Sequence, residues 1–173
     1  MIIKSVRGFK PMHGDDCFFA ENSVLIGDVI MGNNCSIWYS AVVRGDVNSI
    51  KIGDRVNIQD GAVIHGTYLK AKTEIGNDVS IGHNAIVHGC KIENSVLIGM
   101  GSIVMDNSII ESNSIVAAGS VVLENTHIKA GSIFAGVPAK KIKNISEELK
   151  KNEIDRIASS YIKYSNWYKD FTK

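Results

Sequence analysis

The 173-residue sequence lacks several features that mark other protein classes. Prolines number two, aromatic residues make up 7% of the chain, and the three cysteines form no CxxC pair. An odd, scattered set of cysteines argues against both a disulfide framework and a thiolate zinc site. No apolar run approaches the roughly 18 residues of a membrane span. The first residues also lack the apolar region of a signal peptide, so we expect a cytoplasmic protein without membrane contact.

The chain also has no excess of charge of either sign. Nineteen Lys and Arg residues stand against eighteen Asp and Glu residues, which leaves a formal net charge of +1. This balance implies no general attraction to nucleic acid or to acidic substrates. The length fits one domain with an appendage, and a hydrophobic content of 45% is sufficient for a sizeable core.

An internal repeat of six residues organises most of the chain. The units from residue 98 onward each open with an aliphatic or aromatic residue, namely Ile98, Val104, Ile110, Val116, Val122, Ile128 and Phe134. The same frame returns upstream at Ala20, Ile26, Met31, Ile37 and Val43, with some irregular lengths. A single unit cannot bury its apolar residue, so stacked coils of three units must share an interior. An antiparallel sandwich would instead show alternating strands, and we therefore predict an all-β solenoid, a parallel β-helix.

The C-terminal segment follows a different pattern. Residues 138–145 leave the six-residue frame, and Ser146 followed by two glutamates is typical of a helix N-terminus. Apolar residues then recur at spacings of three and four, at Ile154, Ile157, Tyr161, Tyr164, Tyr168 and Phe171. This stripe predicts a helix of about 25 residues. We expect a β-helix domain over residues 1–140 and a C-terminal α-helix over residues 146–171 that packs along it.

The frame is interrupted at two places, and functional residues are expected where a regular pattern fails. Eleven positions separate Ile64 from Ile75, which predicts an extruded loop, and nine separate Val43 from Ile52. Three of the five histidines follow these interruptions, at His65, His83 and His88.

Counting three units per coil places Ile64 and Val87 on the same face of successive coils. His65 and His88 directly follow these residues, so they are expected to stack about 4.8 Å apart on one outer edge. Two such imidazoles can bind one metal ion at about 2.0–2.1 Å. His83 lies on a different edge, out of reach of this histidine pair. In a symmetric trimer, however, His83 of one subunit can face the histidine pair of the next.

The same count places two charged residues one coil earlier. Arg44 lies in the column of the histidine pair, and Asp60 lies in the column of His83, with Gln59 beside it. Arg44 and Asp60 are therefore expected to meet across the same subunit interface.

Other residues with metal-binding potential are interpreted as structural. An isolated outward histidine is ordinarily a surface residue, and His13 and His127 have no matching partners in the columns. Cys90 lies near His88, but a small packed residue is expected at its position in the repeat.

Four segments resemble the gamma-class carbonic anhydrase family, and the resemblance covers nearly all of residues 10–170. They are residues 43–46 (VRGD), 57–65 (NIQDGAVIH), 81–90 (IGHNAIVHGC) and 135–140 (AGVPAK). The resemblance implies a left-handed β-helix that assembles as a homotrimer. It also implies that Zn²⁺, or alternatively Fe²⁺ or Co²⁺, is bound between subunits by His65, His83 and His88, with His83 supplied by the neighbour. The family pattern places Arg44, Asp46, Gln59 and Asp60 around this site.

The activity implied by the resemblance is the reversible hydration of carbon dioxide to bicarbonate. Three neutral imidazoles leave the ion its full charge and leave coordination positions for water. The pKa of the bound water then falls toward about 7, and the hydroxide formed can attack carbon dioxide. Gln59 is suited to orient the hydroxide or the substrate, and Arg44 with Asp46 or Asp60 is suited to fix the interface. Tyr161 could approach the site from the C-terminal helix.

One departure from the family pattern bears on the rate. The best-studied type of the family has an acidic loop that shuttles protons, whereas residues 67–74 here are short and mainly neutral or basic. We therefore expect low turnover. Two alternatives remain at this point: an acyl-CoA-dependent acyltransferase on the same fold, and a metal-binding trimer with little catalysis.

Overall fold

A computed structural model describes residues 1–170 of the chain. The strands, in chain order, are β1 (Ile2–Lys4), β2 (Met12–His13), β3 (Phe18–Phe19), β4 (Val24–Met31), β5 (Ser36–Ile37), β6 (Val42–Ile52), β7 (Asn57–Ile58), β8 (Val63–His65), β9 (Thr73–Ile75), β10 (Ser80–Ile81), β11 (Ile86–His88), β12 (Lys91–Ile92), β13 (Leu97–Ile98), β14 (Ile103–Val104), β15 (Ile109–Ile110), β16 (Ile115–Val116), β17 (Val121–Val122), β18 (His127–Ile128), β19 (Ser132–Ala135) and β20 (Lys140–Asn144). A helix follows, made of α1 (Glu147–Leu149), a π-helical segment (Lys150–Asp155) and α2 (Arg156–Asp170).

The chain winds as a left-handed parallel β-helix, as the repeat and the resemblance predict. Successive short strands lie on successive faces, and every third strand pairs in parallel with its predecessor, as in the order β7-β10-β13-β16-β19. This register stacks Ile58 on Ile81 and Ile81 on Ile98, and all three side chains are completely buried. Because each coil donates one such residue per face, the apolar interior runs along the axis of the solenoid.

The small residues of the repeat lie at the corners of the coils. Ser102 and Ser108 are buried, and the hydroxyl of each donates to a backbone carbonyl three residues earlier, at 2.6 and 2.7 Å. A larger side chain would not fit at the tight corner, and the buried serine hydroxyl has a hydrogen-bond acceptor there in the backbone carbonyl.

The first coils depart from the predicted frame. Leu25, not Ile26, lies opposite Val43 and is buried, whereas Ile26 lies opposite Arg44. In the same way Phe19, not Ala20, lies opposite Ile37. The irregular nine-residue spacing is accommodated by two long strands, β4 and β6, which pair with each other and shift register between Gly27 and Val29. Counting backwards in sixes through this region therefore assigns the wrong residue.

The C-terminal helix lies against the eight-stranded face. Ser146 caps it by accepting a hydrogen bond from the Leu149 N–H at 3.2 Å. Ile154 is buried against Ile115 and Ile133 of that face. The strand β20, which the sequence reasoning did not anticipate, pairs antiparallel with β19 before the helix begins. Phe171, the last residue of the predicted helix and of its stripe, lies outside the described residues.

Candidate metal centre

Two histidines face each other on one edge of the solenoid. The pairing of β8 with β11 places His88 directly opposite His65, one coil apart. The preceding residues Ile64 and Val87 are completely buried, so strand alternation turns both imidazoles outward. Nδ1 of His65 lies 3.1 Å from Nε2 of His88. Two nitrogens bound to one divalent ion are about 2.9–3.4 Å apart, so this pair of donors fits a shared metal.

Asp46 holds the remote nitrogen of His65. Nε2 of His65 donates to Oδ1 of Asp46 at 3.0 Å, and Nη1 of Arg44 donates to Oδ2 of the same carboxylate at 2.6 Å. Burial raises the pKa of Asp46, but the hydrogen bonds from Arg44 and His65 outweigh it and lower the pKa below its usual value. Burial also lowers the pKa of His65, which keeps its ring neutral and able to bind a metal. The predicted contact between Arg44 and Asp46 is present within one chain.

Asp106 holds the remote nitrogen of His88, and the sequence reasoning missed it. Nδ1 of His88 donates to Oδ1 of Asp106 at 2.6 Å, and the Thr67 hydroxyl donates to Oδ2 at 2.6 Å. Burial raises the pKa of this carboxyl group, but the hydrogen bonds from Thr67 and His88 outweigh burial and bring the pKa below its usual value. Counting the repeat units one coil further along the chain could have located it. Val104 lies opposite Val87, and Asp106 follows Val104 by two residues.

His83 lies in a different column, where the unit count predicts it. The register of Ile58 with Ile81 places Asp60 one coil below His83, and Oδ2 of Asp60 lies 2.9 Å from Nδ1 of His83. The hydroxyl of Tyr161, on the C-terminal helix, lies 3.4 Å from Nε2 of the same ring.

The described part of one chain brings two of the three predicted histidine ligands together. Within residues 1–170, no three histidine, cysteine, aspartate or glutamate side chains are grouped closely enough to hold a metal ion. The histidine pair therefore offers two ligands, and His83 is not brought to it by the fold of the chain.

Gln59 is buried beside the His83 column. Its Nε2 donates to Oδ1 of Asn57 at 3.0 Å, which holds the amide in place. Together with His83 and Tyr161 it lines a cavity of about 360 Å³ between the solenoid and the C-terminal helix.

The predicted extruded loop is present and carries little acidic character. An antiparallel bridge between Thr67 and Ala71 closes it, and Leu69 at its tip is exposed. Glu74 follows the loop on β9 and forms an ion pair with Lys72 at 2.6 Å. The loop thus contributes Thr67 to the orientation of Asp106 and contributes Lys70, whose Nζ lies 3.9 Å from that carboxylate.

No helix within residues 1–170 has the length and apolar character required to cross a membrane.

Comparison with known proteins agrees with this architecture. A family model described as bacterial transferase hexapeptide (six repeats) matches residues 10–45 and 89–124. A carbonic anhydrase of Geobacillus kaustophilus is 37% identical over 97% of this chain and 91% of its own length. Gamma carbonic anhydrase 2 of Arabidopsis thaliana, a mitochondrial protein, is 40% identical over 91% of this chain and 57% of its own length.

A solved structure is also similar. A hexapeptide transferase family protein from Anaplasma phagocytophilum is 38% identical, with a TM-score of 0.89, and the match covers 96% of this chain and 98% of that one. The repeat itself is therefore common to proteins named for different activities. The identity to carbonic anhydrases extends over almost the whole chain, and the chain belongs to the gamma-class carbonic anhydrase family of hexapeptide-repeat proteins.

Proposed function

We propose that this protein is a metal-dependent enzyme that reversibly hydrates carbon dioxide to bicarbonate. In this proposal it is a homotrimer, and each metal ion is bound by His65 and His88 of one subunit and by His83 of the next. The observation that carries the proposal is the 3.1 Å approach of Nδ1 of His65 to Nε2 of His88, with the opposite nitrogen of each ring held by a carboxylate.

The two carboxylates determine which nitrogens are free to bind. Asp46 takes the Nε2–H of His65, and Asp106 takes the Nδ1–H of His88. A neutral imidazole carries one proton, so the two nitrogens that face each other both present lone pairs. Two lone pairs at 3.1 Å repel each other, and a shared cation removes that repulsion. The carboxylates also orient the rings, as partners of metal-binding histidines commonly do.

A carboxylate also determines which nitrogen of His83 is free to bind. Asp60 accepts the proton of its Nδ1, which leaves Nε2 as the donor atom toward a neighbouring subunit. The hydroxyl of Tyr161 lies beside this nitrogen and can hold a water molecule or substrate oxygen near it. Gln59, fixed by Asn57, is suited to orient the same molecule.

A bound divalent ion supplies Lewis acidity that lowers the pKa of water toward neutrality. Proton removal to solvent is then left to side chains near the site. The loop that follows His65 offers Thr67 and Lys70, and Glu74 forms an ion pair with Lys72. We therefore expect slow turnover compared with an enzyme that has an acidic shuttle.

Metal content and hydration rate test the proposal directly. Purified protein loaded with Zn²⁺, Fe²⁺ or Co²⁺ should retain about one equivalent per subunit, and stopped-flow measurements should detect carbon dioxide hydration. His65→Ala should abolish metal retention. His127→Ala is the matched control, because this exposed histidine contacts Glu111 far from the pair and should leave metal content unchanged. Full metal content in the His65 variant contradicts the assignment.

Mixing subunits tests whether the site is shared. His65→Ala and His83→Ala chains should each lose metal alone. In randomly reassorted trimers of the two, an intact pair meets an intact His83 at about one quarter of interfaces, so about a quarter of the metal content should return. No recovery in verified mixed trimers would show that the ligands are not shared between chains.

The likeness to a hexapeptide transferase family protein favours a second candidate, an acyl-CoA-dependent acyltransferase. Such an activity releases free CoA thiol from an acyl-CoA donor in the absence of added metal. Metal-independent release that is lost in a His83→Ala variant would favour the transferase. Retained metal without measurable hydration or thiol release would favour a metal-binding trimer with little catalysis.

A further inference from the structure

The aromatic residues of this chain are concentrated at one place on its surface. Both tryptophans and four of the five tyrosines line a cavity of about 270 Å³ between the eight-stranded face and the C-terminal helix. These six residues, here called the aromatic cage, are Trp38, Tyr39, Tyr161, Tyr164, Trp167 and Tyr168. The carboxylate-bearing residue Asp60 lines the same cavity. Such a concentration requires an explanation in a chain with 7% aromatic residues.

The rings line the cavity and contact one another mainly edge to face, except that Tyr164 and Trp167 are tilted by 38° with centroids 5.0 Å apart. The planes of Tyr161 and Tyr168 stand at 81° and 86° to Trp38, with ring centroids 5.3 and 5.4 Å away. Trp38 lies at the base, with 6% of its surface exposed, and its Nε1 donates to the Ser36 hydroxyl. Trp167 and Tyr168 are 50% and 41% exposed. The packing of the helix therefore leaves part of the surface of these two rings accessible to a ligand.

Acidic residues of the solenoid lie on one side of the cage. The same edge of the solenoid carries Glu21, Tyr39, Asp60 and His83 in successive coils, so two carboxylates lie near the rings. Desolvation and then the Glu21 and Asp60 carboxylates raise the pKa of Tyr39. These two carboxylates would attract a cation that enters the cavity.

A cation already contacts one ring of the cage from within the chain. Nζ of Lys163 lies 5.6 Å from the centroid of Trp167. A lysine ammonium is strongly hydrated and remains near the surface, whereas a methylated ammonium has a weakly hydrated charge that enters an aromatic site more readily.

We propose that the aromatic cage binds the quaternary ammonium group of a small organic cation. The ring faces attract the diffuse positive charge, the apolar walls accommodate the methyl groups, and Asp60 supplies a full negative charge at the rim. This ligand is additional to the carbon dioxide of the proposed function, and its binding needs no metal. Because Asp60 also contacts Nδ1 of His83, an occupied cage would lie directly beside one of the proposed metal ligands.

Tryptophan fluorescence of the full chain provides the test, because both tryptophans lie in the cage. Choline chloride and 3,3-dimethylbutan-1-ol are titrated separately into the protein at constant ionic strength. The alcohol has the same shape as choline without the charge. Choline should change the emission saturably and bind about tenfold more tightly than the alcohol, which corresponds to about 1.4 kcal/mol. Equal affinity of the two compounds, or a change that never saturates, overturns the proposal.

Variants separate the cage from general effects on the fold. Tyr164→Leu should weaken choline binding at least about fivefold, and Asp60→Asn should weaken choline binding while leaving that of the alcohol unchanged. Tyr68→Leu is the matched control, since the fifth tyrosine lies exposed on the extruded loop, where it should have no effect. Circular dichroism verifies that each variant is folded.

A different occupant is also distinguishable. If Arg44 of a neighbouring subunit fills the cage by reaching Asp60, then Arg44→Ala should shift tryptophan emission without any ligand, and wild-type protein should not bind choline. That outcome would assign the cage to the subunit interface and overturn the proposal.

Discussion

Oδ1 of Asp106 lies 2.6 Å from Nδ1 of His88, and the two residues come from neighbouring coils of the solenoid. Gly89 makes this contact possible. A Cβ atom at Gly89 would lie 2.3 Å from that same oxygen, and the residue has a φ of +57°. The metal-facing nitrogen of His88 therefore depends on a carboxylate from the next coil and on the absence of a side chain beside it.

Asp106→Asn should weaken metal binding by about 10–100-fold, because an amide orients the His88 ring less strongly and does not hold its proton on Nδ1. Competition with a chromophoric chelator measures the affinity. Asp155→Asn on the exposed side of the C-terminal helix is the control and should bind metal like wild type. An unchanged affinity for the Asp106 variant would show that the carboxylate has no part in the metal site.

Gly89→Ala should reduce the free energy of unfolding by about 1–3 kcal/mol, because the methyl group meets Asp106 and the positive φ is strained for alanine. Gly101→Ala separates the two causes, since Gly101 has a φ of +65° but nothing within 4 Å of its Cβ position. Urea denaturation of both variants should show a larger loss at Gly89. Equal losses would mean that backbone strain explains the whole effect.

Ile154→Ala should reduce the free energy of unfolding by about 2–5 kcal/mol, because it leaves a cavity where the helix packs against Ile115 and Ile133. Ile142→Ala is the comparison, since Ile142 is 61% exposed on β20 and its truncation should have little effect. Thermal or urea unfolding measures both. A small loss at Ile154 would show that the helix contributes little to the stability of the solenoid.

Glu111 should contribute to the pH dependence of stability. The Ala130 N–H, followed by Lys129 and His127, lowers the pKa of this carboxyl group from 4.5 to about 2. A lowered pKa in the folded state means that the stabilisation is complete above the ordinary value and is lost as the pH falls from about 4.5 toward 2. The stability difference between wild type and Glu111→Gln, measured by urea denaturation, should therefore be larger at pH 6 than at pH 3. A difference that stays constant over this range would contradict the assignment.

The register of the repeat explains why so much of the site could be located from sequence. Each coil has three units, so a residue's position in its unit determines its column and the direction of its side chain. This is why His88 lies opposite His65 and Asp60 lies below His83. The same counting failed at Ile26, because β4 and β6 change register there and bring Leu25 inward.

Contacts that depend on loop length and side-chain reach were not accessible in this way. Counting reaches the position of Asp106, 18 residues from His88, but it does not reveal the hydrogen bond from Thr67 of the extruded loop that orients this carboxylate. The aromatic cage depends on how the C-terminal helix lies along the solenoid, which brings Tyr168 against Trp38. A spacing of three and four residues predicts an apolar helix face, but it does not specify the surface against which that face packs.

The amino-acid sequence by itself determined the winding of the chain and the columns in which its histidines stand, because a six-residue period leaves each aliphatic residue one way to be buried. The tertiary structure decided how the carboxylates of those columns contact the histidines and which rings line a cavity. Those contacts join coils and helix across many residues, and they arise only when the irregular coils, the loop and the helix have taken their places in three dimensions.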